Sequence, residues 1–186
     1  MYRLLSLLSV IILIVVPVYS LGEEGVKVYS NTEYQFRFTY PDDWTIEQPD
    51  YEETVIEIKS PDRKLTFNVG TARDIALQKV HPRDFVKRYS KEKITEMYEK
   101  EFVDFKLLEA RETTLCAFPA YYWICTFTSS DAEKRQITMK SMTITTNRSE
   151  IQYSLTAAGV LEDFDANRAV LESIIDSFTT GATLWK

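Results

Sequence analysis

The chain is short of histidine, cysteine, glycine and positive charge, and each shortage narrows the functions open to it. One histidine, His81, stands in 186 residues. A hydrolytic triad would need that ring oriented by a carboxylate and aimed at a nucleophile, and nothing near it in sequence supplies the pair. A closed zinc site needs four ligands, and one histidine with two cysteines falls short. Five glycines and six prolines exclude collagen-like repeats and long flexible linkers. Lys and Arg number 22 against 28 Asp and Glu, a formal charge of −6, and the cations are scattered along the chain. Duplex binding depends on clustered cations that displace counterions, so nucleic acid and anionic lipid surfaces are both poor partners.

What is present at the start is one long apolar run. Met1-Tyr2-Arg3 carries a single positive charge, and Leu4 to Val16 is apolar apart from Ser6 and Ser9. Pro17-Val18-Tyr19-Ser20 then supplies a cleavage pattern, with Val18 and Ser20 at the small-residue positions. Residues 1–20 therefore read as a secretory signal peptide. The run is shorter than the ~20 residues of a comfortable membrane span, so an uncleaved signal anchor is its only route into a membrane. No cysteine lies at the cut to accept a lipid. The expected location is extracytoplasmic, periplasmic or secreted. Residues 21–186 make one domain's length, with a core over about 26–180.

In an oxidising compartment Cys116 and Cys125 invite a disulfide. A tight hairpin pairing Leu115 with Ala120 would set Cys125 opposite Ala110, away from Cys116 and beyond the ~7 Å reach of a bridge. Two buried thiols are expected.

Period-two patterning dominates the rest. Tyr34, Phe36, Phe38 and Tyr40 alternate with polar residues, the signature of a strand with one buried face. Pro41-Asp42-Asp43 ends that strand, and extended segments follow at Trp44, at Val55 to Lys59 and at Leu65 to Val69. Further strands are predicted over 105–114, 120–128, 136–145 and 150–157, with Asn147-Arg148 as the turn between the last two. That turn also carries a glycosylation sequon, Asn147-Arg148-Ser149. Tyr121 to Cys125 is apolar at every position, so it is expected to be central and covered on both faces. A helix over about 82–102 would bury Phe85, Val86, Tyr89 and Met97. A second over about 163–178, capped by Asp163 or Asp165, would bury Ala166, Val170, Ile174 and Phe178.

Phe36-Arg37-Phe38-Thr39-Tyr40-Pro41-Asp42-Asp43-Trp44 resembles the opening signature of the PsbP-like family, named for an extrinsic protein of photosystem II. The likeness runs through the turn and strand at Leu115 to Tyr122 and closes on Ile174-Ile175-Asp176-Ser177-Phe178. It implies an α/β (α+β) fold, a central and mostly antiparallel sheet sandwiched between helices. Its signature residues, Phe36, Phe38, Tyr40, Pro41, Trp44, Ile174 and Phe178, are structural. Family members often carry glycine where this chain has Cys116 or Ala117.

No catalytic constellation is expected, and no cofactor beyond a weakly held divalent cation. For that cation the candidate ligands are His81, Asp42 and Asp43. The acidic stretches Asp50-Tyr51-Glu52-Glu53 and Glu109 with Glu112 lack calcium-loop spacing and read as solvated loops. Tyr29, Tyr51, Tyr98 and the terminal Leu184-Trp185 exceed what the core needs and suggest a surface that meets another protein. The expected function is an exported, non-catalytic module that binds or stabilises a protein partner at the cell envelope. The alternatives are a photosystem II-associated extrinsic protein and a small-ligand or metal-ion binder.

Overall fold

The computed structural model describes residues 25–49, 51–131 and 133–181. The predicted signal peptide and Leu184-Trp185 lie outside the described residues. In chain order the elements are β1 (Val26–Asn31), β2 (Phe36–Pro41), β3 (Thr45–Glu47), β4 (Thr54–Lys59) and β5 (Leu65–Arg73). A 3₁₀ turn (Ile75–Lys79), α1 (Pro82–Val86) and α2 (Lys91–Tyr98) follow. Then come β6 (Val103–Leu115), β7 (Phe118–Ser130), β8 (Gln136–Arg148) and β9 (Ile151–Val160). The described chain closes on α3 (Leu161–Ala166), α4 (Arg168–Asp176) and β10 (Thr179–Thr180).

Seven strands form one antiparallel sheet in the order β3-β4-β5-β9-β8-β7-β6. The aromatic strand β2 is not in it. It pairs with β1 and β10 in a second, three-stranded sheet. That small sheet packs with α3 and α4 on one face of the large sheet, and α1 and α2 lie on the other. The sandwich is thus made of helices on one side, and of helices plus a small sheet on the other.

Both faces of β7 are buried, as its unbroken apolar run requires. Ala120, Tyr122 and Ile124 join the core shared with β2, α3 and α4, while Tyr121 and Trp123 face Ile94 of α2. The strand is not central, however; it lies next to the edge, beside β6. β6 and β8 pair along its two edges, and the packed layers above and below the sheet cover its two faces.

Neither predicted helix is continuous. The first breaks at Lys87–Ser90, because Ser90 turns its hydroxyl onto the Lys93 N–H (3.3 Å) and starts α2 afresh. The break resets the helical phase, so Ile94 is buried and Met97, predicted to be inside, is 50% exposed. The second breaks at Asn167, and neither Asp163 nor Asp165 caps it. Those carboxylates pair instead with Lys64 (3.0 Å) and Lys140 (2.5 Å). Ala166 is exposed, whereas Ile174 and Phe178 are buried and Val170 packs against the core.

Two turns also differ from expectation. β6 and β7 meet through a two-residue loop, Leu115 pairing with Phe118 and Cys125 with Leu107. Cys116 and Ala117 therefore both hold left-handed backbone, at φ 51° and 65°. This geometry suits strand twist but favours glycine or asparagine. Replacing Ala117 with glycine is expected to raise stability by about 1 kcal/mol, read from the urea midpoint. Both cysteines are free: the Cys116 thiol donates to Phe178 O (2.7 Å), and Cys125 Sγ shares a hydrogen bond with Ser141 Oγ (3.1 Å).

The β8–β9 turn is Ser149–Glu150, with Ser149 at φ 55°, two residues beyond the predicted Asn147-Arg148. Asn147 is a strand residue with no exposed surface, so a glycan on its amide is incompatible with this fold.

Candidate functional site

Helices α1 and α2 pack over β6, β7 and β8 and leave β3, β4 and β5 uncovered on that face. A step results where the helical layer stops, and a groove runs along it. Its floor is β9, whose alternate residues Gln152, Ser154 and Thr156 all point to this face. β8 repeats the pattern with Ser141, Thr143 and Thr145, and the two strands are stitched by hydroxyl bonds. Ser154 Oγ donates to Thr145 Oγ1 at 3.1 Å, and Thr143 Oγ1 lies 3.1 Å from Thr156 Oγ1. Thr145 Oγ1 in turn donates to Tyr153 O at 3.0 Å.

The wall is aromatic. Tyr89, in the link between the two helices, lies nearly parallel to Tyr121 and Trp123, with ring centroids 5.8 and 6.0 Å apart. Its hydroxyl accepts from Gln152 Nε2 at 3.3 Å, which ties the wall to the floor. Tyr98 closes the end against Phe102, Phe105 and Trp123. The inner lobe, about 230 Å³, lies among Tyr89, Ile94, Met97, Tyr98, Trp123, Gln152 and Ser154. An outer lobe of about 330 Å³ continues along α2. A third hollow of about 250 Å³ extends over Gly70 and Ala72 of β5.

Burial sets the protonation chemistry here. It pushes Tyr98 up to about 12 and raises Tyr89, Tyr121, Tyr122 and Tyr153 as well. Both thiols are raised for the same reason. The tyrosines of the groove are therefore hydrogen-bonding groups at neutral pH, not proton-transfer groups. In the unfolded chain they ionise near ~10. Above that pH the unfolded state holds fewer protons than the folded one, so stability must fall as pH rises from 10 towards 12. Below pH ~10 both states are neutral at these groups and the effect vanishes. An ultraviolet absorbance titration should show their ionisation delayed and coincident with unfolding. Free ionisation of all the tyrosines in the folded chain would contradict it.

The sequence-predicted metal candidates do not converge. Asp42 and Asp43 are exposed in the turn after β2. His81 is exposed at the start of α1, where its Nδ1 accepts from the Arg83 N–H at 3.2 Å. Among the described residues, no three His, Cys, Asp or Glu side chains form a group that could hold an ion. Of the surplus aromatics, Tyr51 is 73% exposed, and Tyr29 packs on Phe36 and Phe38. Tyr98 belongs to the groove. Gln152 and Ser154 were not legible as site residues; the polar alternation within buried strands is the signal that marks them.

The other face holds a second hollow, about 260 Å³, between α4 and the β6–β7 edge. Its two arginines are already engaged: Arg168 pairs with Glu172 (2.8 Å), and Arg111 pairs with Glu109 (2.8 Å) and covers the Tyr122 ring.

A large antiparallel sheet with helices on one face, and with helices and a small aromatic sheet on the other, defines an α+β sandwich. A polar-floored groove runs along the edge of its helical layer. The chain belongs to the PsbP-like protein family, whose model matches residues 18–180. No curated protein sequence matches it significantly. Its fold is similar to the solution structure of cyanobacterial PsbP from Synechocystis sp. PCC 6803. There the TM-score is 0.63 at 11% identity, covering 90% of this chain and 99% of that one. LpqN, involved in cell envelope biogenesis of Mycobacterium tuberculosis, superposes with TM-score 0.52 at 15% identity, covering 84% and 91%. The Saccharomyces cerevisiae Ran-binding protein Mog1p gives 0.53 at 9% identity, covering 86% and 97%. At these identities the likenesses establish the fold alone.

Proposed function

We propose that the chain is an exported, non-catalytic module that binds or steadies a protein partner at the cell envelope. The groove beside α2 carries this reading, because it offers an aromatic wall and a hydrogen-bonding floor, with tyrosines that burial keeps protonated at neutral pH. Aromatic side chains of this kind are enriched where protein surfaces meet. The signal-like residues 1–20 support export, and the involvement of LpqN in cell envelope biogenesis and of Mog1p in Ran binding supports a binding role on this fold. No helix among the described residues is long and apolar enough to cross a membrane.

The test is a scan with a photo-crosslinking amino acid placed singly at Val28, Asp62, Met97 and Leu108 of the full chain in living cells. One position should yield a discrete adduct with one envelope protein. Silence at all four positions, or a chain that stays in the cytoplasm, would end this reading.

A further inference from the structure

The chain is acidic overall, but one stretch is rich in cations. Residues 79–93 hold six of the 22 Lys and Arg and only two of the 28 acids. The segment runs from the end of the 3₁₀ turn through α1 and the link to the start of α2, and two of its six cations, Arg88 and Lys93, reach the groove. Arg88, Lys93 and Lys100 line the outer lobe. The one acid among them, Glu96, is already paired with Lys100 at 3.2 Å. Between these cations runs an apolar strip made by Ile94 and the half-exposed Met97, leading into the inner lobe.

We propose that this groove takes an acidic segment of a partner protein, with one hydrophobic side chain seated between Met97, Tyr98 and Trp123. The inference rests on the partner-binding reading and names its surface. Carboxylates of the segment meet Arg88 and Lys93. Its backbone N–H can donate to Gln152 Oε1, since Gln152 Nε2 is engaged with Tyr89. An acyl chain fits less well, because it would cover Gln152 and Ser154 without returning a hydrogen bond. Charge complementarity favours this occupant: the chain is acidic overall, and Arg88, Lys93 and Lys100 against Glu96 give this rim the opposite sign.

The probe is a random peptide display library, panned on the purified full chain. Enriched peptides should carry acids flanking a Leu, Phe or Trp. One of them, labelled for fluorescence anisotropy, should bind at least about tenfold more weakly to Arg88→Glu/Lys93→Glu/Lys100→Glu, and more weakly in high salt. All three side chains are exposed, so the variant should keep the wild-type circular dichroism; a Met97→Asn variant, which removes the apolar seat without adding charge, should also bind more weakly. Enrichment of basic peptides, or of none, would overturn the inference. So would binding that ignores the charge reversal, or capture by phosphatidylglycerol vesicles in place of peptides. Each of those results leaves the crosslinking scan free to succeed, so the partner reading and this surface can fail separately.

Discussion

Truncating Phe36 to alanine is expected to cost about 3–5 kcal/mol, a large part of the stability of an ordinary domain. Phe36 has no exposed surface and joins the two sheets. Its ring lies 5.5 Å from Phe178, 6.2 Å from Tyr153 and 5.9 Å from Tyr29. Those partners come from β1, β9 and the link between α4 and β10, so collapse around the void would require three segments to move at once. Trp44, 6% exposed in the same core, should behave alike when truncated. His81→Ala is the contrast. Its exposed ring contributes one capping bond to a five-residue helix, and the loss should stay within about 1 kcal/mol. Urea unfolding of the three variants reads all of this directly. A harmless Phe36→Ala would show that the small sheet is not locked to the large one.

Those residues mark where the sequence was legible and where it was not. Phe36, Phe38 and Tyr40 alternate cleanly because one face of β2 is buried and the other is wet, and Tyr121 to Cys125 are apolar throughout because both faces of β7 are covered. Local pattern encodes burial. It does not encode which strand is the neighbour, so nothing in the alternation of β2 separates it from the large sheet or shows that it pairs with β1 and β10. The strand β1 was missed because Val26 and Val28 face outward, 41% and 63% exposed, and break the rule that apolar means inside. The helix break at Lys87–Ser90 was hidden because Ser90 can sit within a helix or cap one, and only the packing of Tyr89 on Tyr121 and Trp123 decides. The groove was least legible of all. It exists because α1 and α2 cover half a sheet, a fact about layer widths that no short window of sequence contains.

A methyl group added at Gly159 is expected to be costly, while the same change at Gly70 is tolerated. Gly159 in β9 pairs with Leu65 of β5 and Lys140 of β8. A Cβ there would lie 2.6 Å from Leu65 Cδ2 and 2.8 Å from Lys64 O. The leucine can rotate away, but the carbonyl belongs to the backbone leading into β5. Moving it disturbs the start of that strand and the Lys64–Asp163 pair beside it. Overpacking of this kind costs about 1–3 kcal/mol, and Gly159→Val should exceed Gly159→Ala. At Gly70, in the groove-side hollow, the nearest atom to a new Cβ is Glu53 O at 3.5 Å, an ordinary contact. Gly70→Ala should therefore be neutral or slightly stabilising, since alanine loses less chain entropy on folding. Thermal or urea unfolding of the pair decides the matter. If Gly159→Ala were as stable as Gly70→Ala, β5 and β9 could not approach as closely as their pairing requires.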